Sequence, residues 1–255
     1  MPMMLDLQKA NLWKRISAAI FDAILVGILA VGIGWLLSIA LNYDGYNNAL
    51  TDAYAQYEAE YGVVFEMTEE AYAAMTPEEL TRYEEAYDAL IGDEEAMYAY
   101  NMVINLTLML TSLGILLSHL ALEFAVPLLF GNGQTLGKKI FGIGLMRQDG
   151  VQINHLQLFV RTVLGKFTVE TMIPVYILIM LFFNSIGLFG TLIVIAIALA
   201  QVILLFANRN GCVIHDLLAG TVAVDISSQM IFRTTEDLIA YQKKAAAQRA
   251  ARAPY

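Results

Sequence analysis

Long apolar stretches alternate with polar segments along this chain. The first, Ile16–Leu41, runs 26 residues with a single charge, Asp22. As a helix it measures ~39 Å, more than the ~30 Å hydrocarbon core of a bilayer. It is also too long for the apolar core of a cleaved signal peptide, so it reads as a retained span. The second, Met102–Phe130, is interrupted by His119, Glu123 and Pro127. The third, Met172–Phe206, would measure ~50 Å as one helix, too long for one crossing without extreme tilt. Asn184-Ser185-Ile186-Gly187 with Gly190 is the expected turn, giving spans at roughly Phe167–Phe183 and Leu188–Ala207. The alternative, one broken span, puts the C-terminal tail on the opposite side.

The polar segments have patterns of their own. Thr76-Pro77-Glu78-Glu79 reads as an N-cap, a proline at N1 and a glutamate at N3, with Gly92 stopping the helix. Asp93 starts another helix that runs into the second span, and an earlier piece around Asn48–Tyr61 ends at Gly62. Ile140–Arg147, Asp149-Gly150 and Val151–Ile153 predict a β-hairpin around a tight turn. Thr221–Ile226 is a further strand candidate able to join it. Asn154 is placed to cap a basic, interfacial helix through Arg161.

Composition agrees with a membrane protein. Hydrophobic residues are 58% of 255 and charged residues 15%, too apolar for a soluble surface of this size. The net charge of −9 is local: Asn42–Tyr100 holds 15 of the 24 acids and one of the 15 bases, leaving 14 bases against 9 acids elsewhere. Those bases cluster before the first span, between the second and third, and after the fourth. All fall on one side only with four spans, and the positive-inside rule makes that side cytoplasmic.

The expected architecture is an all-α membrane protein with four transmembrane helices and cytoplasmic termini. It carries an acidic helical extracytoplasmic insertion and a small cytoplasmic β-hairpin or sheet. Its segments are 1–41 (N-terminus and first span), 42–100 (insertion), 101–130 (second span) and 131–166 (hairpin and interfacial helix). After them come 167–208 (third and fourth spans), 209–227 (a motif and strand) and 228–255 (basic tail). Ten of the 13 tyrosines lie in the insertion, enough aromatic surface for a helical cap. That cap reads either as an acidic vestibule for cations or a basic partner, or as a solvated outer surface.

Enzymatic motifs fail on inspection. In Gly131–Lys138 the phosphate-loop glycine position is Asn132, and Lys139 stands where Ser or Thr is required. His215-Asp216 lacks a second His/Asp set for metal hydrolase chemistry. No enzyme activity, metal, cofactor or nucleic-acid partner is expected. The single cysteine, Cys212, excludes an internal disulfide.

Three ordered motifs carry a resemblance. Arg15-Ile16-Ser17-Ala18-Ala19-Ile20-Phe21-Asp22, then Gly133-Gln134-Thr135-Leu136-Gly137-Lys138 with Gly142 and Asp149-Gly150, then His215-Asp216-Leu217-Leu218-Ala219-Gly220-Thr221 resemble the RDD family of bacterial membrane proteins. Arg15 and Asp22 match the arginine–aspartate pair of that family's first helix, and Asp216 its second aspartate. The resemblance implies a multi-pass protein of the bacterial inner (cytoplasmic) membrane. It also implies membrane transport, with sodium–proton antiport proposed for some members. The 59-residue acidic insertion is longer than the family leads one to expect.

Helix geometry singles out further candidates. At ~100° per residue, Arg15 and Asp22 lie about 20° apart on one face. In the second span Asn101, Asn105, Ser112, His119 and Glu123 form a polar stripe about 40° wide, which belongs against protein or water. Asp22 and Glu123 each lie ~10 Å inside the inner boundary. The expectation is therefore a proton or monovalent-cation site of Asp22 and Glu123, with His119 as a relay and Arg15 holding Asp22 ionised. Gly133, Thr135, Gly137, Lys138, Arg161, Arg15 and Asp216 are read as structural motif residues. Plainer readings stand beside these: a purely structural Arg15–Asp22 pair, a packing role for His119, and Glu170 as a helix-start residue. Asp216 reads as a cap or a brace for the sheet. Four spans enclose little pathway, so a homo-oligomer in the bilayer is expected. A membrane-embedded regulatory or assembly subunit is the alternative function.

Overall fold

The computed structural model describes residues 8–131, 133–182, 187–207 and 211–252. The turn expected at Asn184–Ile186 lies outside them. The elements in order are α1 (Leu12–Ala40), α2 (Tyr43–Tyr61), α3 (Glu69–Ala73), α4 (Pro77–Gly92), α5 (Glu94–Phe130) and α6 (Leu136–Ile140). Then follow β1 (Ile143–Arg147), α7 (His155–Leu181), α8 (Gly187–Ala207), α9 (Ile214–Ala219), β2 (Thr221–Asp225) and α10 (Thr235–Arg252). Among the described residues, α1, α5, α7 and α8 are the four helices long and apolar enough to cross a membrane.

The chain divides into two compact units. One is Ala30–Gly114, carrying α2, α3 and α4. Its helix starts follow from side-chain caps. The Thr76 hydroxyl accepts from the Glu79 amide while the Glu79 carboxylate accepts from the Thr76 amide, a reciprocal box that satisfies two otherwise orphaned N–H groups. Asp93 Oδ1 accepts from the Glu95 and Ala96 amides and starts α5. Tyr54, Phe65, Tyr83 and Tyr72 form a chain of edge-on ring contacts that holds α2, α3 and α4 together. Thr68 caps α3, an element the hydropathy pattern does not announce.

The other unit comprises the chain up to Leu29 and from Ile115 onward. Its centre is an antiparallel pair with Ile143 opposite Asp225 and Arg147 opposite Thr221. The expected hairpin is reduced. The turn at Asp149-Gly150 forms, but the returning chain contributes only a bridge at Met146–Gln152. Residues 221–225 take the ladder because Val222 and Val224 bury against Met146 and Cys212 on one face, while Ala223 buries with Ile143 and Leu145 on the other. The segment before α1 adds to the far edge of β2, through Ala10 N–H to the Ala223 carbonyl at 3.1 Å and Asp225 N–H to the Gln8 carbonyl at 3.1 Å. Ala10 and Ala18 belong to the same apolar cluster as Ile143 and Leu145, so the sheet packs on the start of α1.

The expected separate interfacial helix is instead the beginning of α7. Asn154 caps it reciprocally with Gln157, and the helix then passes through Arg161 and Lys166 without a break. From Val160 to Met172 it widens to π geometry, with the Ile173 amide bonding the Thr168 carbonyl and the Thr168 and Thr171 hydroxyls reaching back five residues to Val163 and Lys166. A shorter π segment, Leu120–Ala125, lies in α5.

Candidate functional site

Ala18, Asp22 and Val26 recur every four residues and form the buried side of α1. The Asp22 carboxylate is 4% exposed. Its Oδ1 accepts from the Gly137 amide at 2.8 Å, and its Oδ2 accepts from the Thr135 hydroxyl. Thr135 is also the N-cap of α6, its hydroxyl oxygen accepting from the Lys138 amide at 3.2 Å. Asp22 thus uses an N–H that the start of α6 leaves without a helical partner. Gly137 is required sterically: a Cβ there would stand 2.5 Å from the Ala18 carbonyl oxygen and 2.9 Å from Asp22 Oδ1. Among the described residues Asp22 makes no ion pair.

Arg15 does not hold Asp22, as the sequence reading expected. Seven residues place the two side chains ~10 Å apart along the helix axis, although they share a face. Arg15 instead donates to the Gly211 carbonyl at 2.6 Å and to Asp216 Oδ2 at 3.4 Å. Asp216 is fully buried and is the hub of this end. It pairs with Arg161, accepts from the Thr221 hydroxyl at 3.3 Å, and caps its own helix by accepting from the Val213 amide at 3.3 Å. Arg161 also donates to Thr221 Oγ1 at 2.8 Å. One carboxylate therefore ties α1, α7, α9 and β2 together. Arg161 is buried in protein, contrary to its interfacial placement by sequence. Asp216 lies beyond the spans, and its guanidinium neighbours and His215 hold its pKa down to about 2 against the opposing effect of burial.

Glu123, 3% exposed, pairs with Lys166, and its Oε2 is 4.0 Å from Lys138 Nζ. The Thr162 hydroxyl donates to the Glu123 carbonyl oxygen at 3.1 Å. The two π segments thereby meet at Glu123. His119 is buried one turn away; its Nδ1 meets the Ile115 carbonyl at 3.0 Å and its ring stands edge-on to Phe167, so it packs rather than bonding Glu123. Glu170 is not a helix-start residue, because α7 begins fifteen residues earlier. Its carboxylate accepts from the His215 amide at 2.9 Å and meets His215 Nδ1 at 2.8 Å. Gly165 permits this contact between α7 and α9, since a Cβ there would lie 2.6 Å from His215 Cβ.

Asp22, Glu123, Lys138, Lys166, Arg161 and Thr135 line one cavity of about 190 Å³, with apolar walls from α1, α7, α8 and the sheet. Lys138 is the link between the two carboxylates. Its ammonium is 3.3 Å from the Thr135 hydroxyl that bonds Asp22, and it feels both acidic charges. Burial pushes the Lys138 pKa down to about 8 against the pull of Glu123, which leaves it an ammonium at neutral pH. The two carboxylates, expected to share a proton, are each bound by other groups. Each has its own donors: lysines for Glu123, a hydroxyl and an amide for Asp22. No group of three or more His, Cys, Asp or Glu side chains able to hold a metal ion occurs among the described residues.

The RDD sequence model matches residues 9–220, which hold the first two motifs, the third as far as Gly220, and every residue of this network but Thr221. The chain belongs to the RDD family. No curated protein and no solved structure matches it. The RDD motif residues thus converge in space. Gly133 (φ 61°) and Gln134, whose side chain donates to the Ile143 carbonyl at 2.8 Å, set the loop that delivers Thr135 and Gly137 to Asp22. Sequence reasoning missed Lys166 and the Glu170–His215 pair. The available signal was charge on a helix otherwise apolar enough to cross a membrane, where each ionised group needs a partner.

Proposed function

We propose that this RDD protein is a membrane transporter that exchanges a proton for a monovalent cation at Asp22. The observation that carries the reading is the buried Asp22 carboxylate, which faces the cavity and is held by a hydroxyl and an amide without an ion-pair partner among the described residues. A carboxylate so placed gains strongly from a mobile positive charge, because desolvation and low dielectric penalise it alone. A proton and a small cation then compete for the same oxygens. Glu123 and Asp216 are already matched by lysines and arginines, which supports a fixed scaffold around one exchanging group. In this reading the chain is a homo-oligomer in a bacterial cytoplasmic membrane. The basic segments and both termini face the cytoplasm and the acidic helices face out. Purified protein in liposomes containing a pH-sensitive dye tests it: an inward Na⁺ or K⁺ gradient is expected to drive proton efflux, and a dye signal equal to that of empty liposomes contradicts the reading.

A second reading, a regulatory or assembly subunit, is supported by the unit Ala30–Gly114. Its acid-rich helices expose Tyr72 and Tyr87, a surface suited to a basic partner.

A further inference from the structure

The proposed cation site contains more positive charge than a cation site needs. Asp22 and Glu123 are the carboxylates that line the cavity. Facing them are the ammonium groups of Lys138 and Lys166; the guanidinium groups of Arg15 and Arg161 also line the cavity, and both are committed to Asp216. Lys166 is 26% exposed at its side chain and reaches Glu123 from the rim, whereas Lys138 is 14% exposed and sits between Glu123 and the Thr135–Asp22 bond. With the arginines set against Asp216, the groups around Asp22 and Glu123 are two carboxylates and two ammonium groups, and these four balance.

We infer that Lys138 is the valence filter of this site: its fixed ammonium, 3.3 Å from Thr135 Oγ1 and 4.0 Å from Glu123 Oε2, admits a singly charged ion to Asp22 and rejects a doubly charged one. The inference rests on the exchange reading above and deepens it by naming the residue that excludes divalent ions from the site. A proton or a monovalent cation leaves the site with one net positive charge, so the two are electrostatically interchangeable. A divalent cation leaves two, inside a cavity with apolar walls where each uncompensated charge is costly. Without Lys138 the empty site carries one negative charge. A monovalent cation then neutralises it, and a divalent cation reaches the net charge that a monovalent cation has in the natural site. The same substitution that tightens monovalent binding therefore opens the site to divalent ions. A lysine that merely braces Glu123 has no such effect on valence.

The test is flux and competition in proteoliposomes of the full chain at pH 7, comparing wild type with Lys138→Met, Lys138→Gln and Lys138→Arg. Gln keeps a donor for Glu123 and guards against a Met variant that does not fold; Arg keeps the charge. Wild type is expected to exchange Na⁺ or K⁺ for protons with no inhibition by millimolar Ca²⁺ or Mg²⁺. The neutral variants are expected to show an apparent KM for the monovalent ion lowered about tenfold or more, and inhibition by the divalent ions. The Arg variant keeps wild-type selectivity. Neutral variants that elute as folded protein yet keep the wild-type KM and indifference to Ca²⁺ overturn the valence filter and leave the exchange reading standing. So does an Arg variant that behaves like Met. Absence of any cation-driven proton flux in wild type overturns the exchange reading and the filter with it.

Discussion

Gly137 and Asp22 touch across 115 residues of sequence: the glycine amide donates to the carboxylate at 2.8 Å, and the glycine lacks a Cβ where one would strike the Ala18 carbonyl. The contact fixes the loop after α5 on the buried side of α1. Gly137→Ala must separate the two elements, because the obstructing atom at 2.5 Å is backbone. The expected cost is ~1–3 kcal/mol, typical of overpacking, together with loss of the amide hydrogen bond. A lower thermal midpoint in detergent and lower flux are the expected readouts. An unchanged midpoint contradicts the close packing.

Asp216 is expected to be the most destabilising single loss in the network. Asp216→Asn leaves Arg161 buried with an uncompensated charge, and breaking a buried pair in this way costs ~3–5 kcal/mol. The pH dependence has a definite sign. The folded pKa of about 2 lies below the ~3.9 of an unfolded aspartate, so the stabilisation is full above about pH 4 and fades as pH falls toward 2. Thermal unfolding of wild type and Asp216→Asn between pH 2 and 7 measures it. The gap between the two proteins is expected to be constant from pH 7 to 5 and to shrink below 4.

Cys212 is buried, its thiol donates to the Thr221 carbonyl at 3.5 Å, and burial pushes its pKa up to about 11. The thiolate is the reactive form, so the native protein is expected to resist maleimide at pH 7.5 and to label fully in denaturant. Rapid labelling of the native protein would mean that the face of β2 toward Cys212 opens.

Orientation is tested with single cysteines in a Cys212→Ser background. Position 48, on α2, is expected to label with an impermeant reagent from outside, and position 245, on α10, only after the membrane is opened. External labelling at 245 removes one crossing.

Local signals were the most legible ones in the sequence. Thr76–Glu79 and Asn154–Gln157 act through side chains three residues apart, so a short window contains both partners. The Asn48–Tyr61 helix and its end at Gly62 follow from the same kind of window. Asp22 was legible as costly, since an acid in a long apolar run must be compensated, but its partner was not. Thr135 and Gly137 lie more than 110 residues away and contribute a hydroxyl and an amide, groups with no charge pattern to search for. Arg15 misled for a related reason: helical phase placed it on the right face, and only axial rise shows that seven residues are too far for a bond. Thr221–Ile226 was visible as a strand, whereas its precedence over the nearer hairpin partner depends on which side chains bury.

The central claim is that Asp22 exchanges its proton for a monovalent cation, and Asp22→Asn tests it most directly. The carboxamide is close in shape and still offers the Gly137 amide an acceptor, so the variant is expected to reach the membrane and elute as wild type does. With no ionisable oxygen it is expected to lose cation-driven proton flux, down to the rate of empty liposomes, at every pH from 6 to 9. An Asp22→Asn protein that folds and retains wild-type flux and pH dependence contradicts the account.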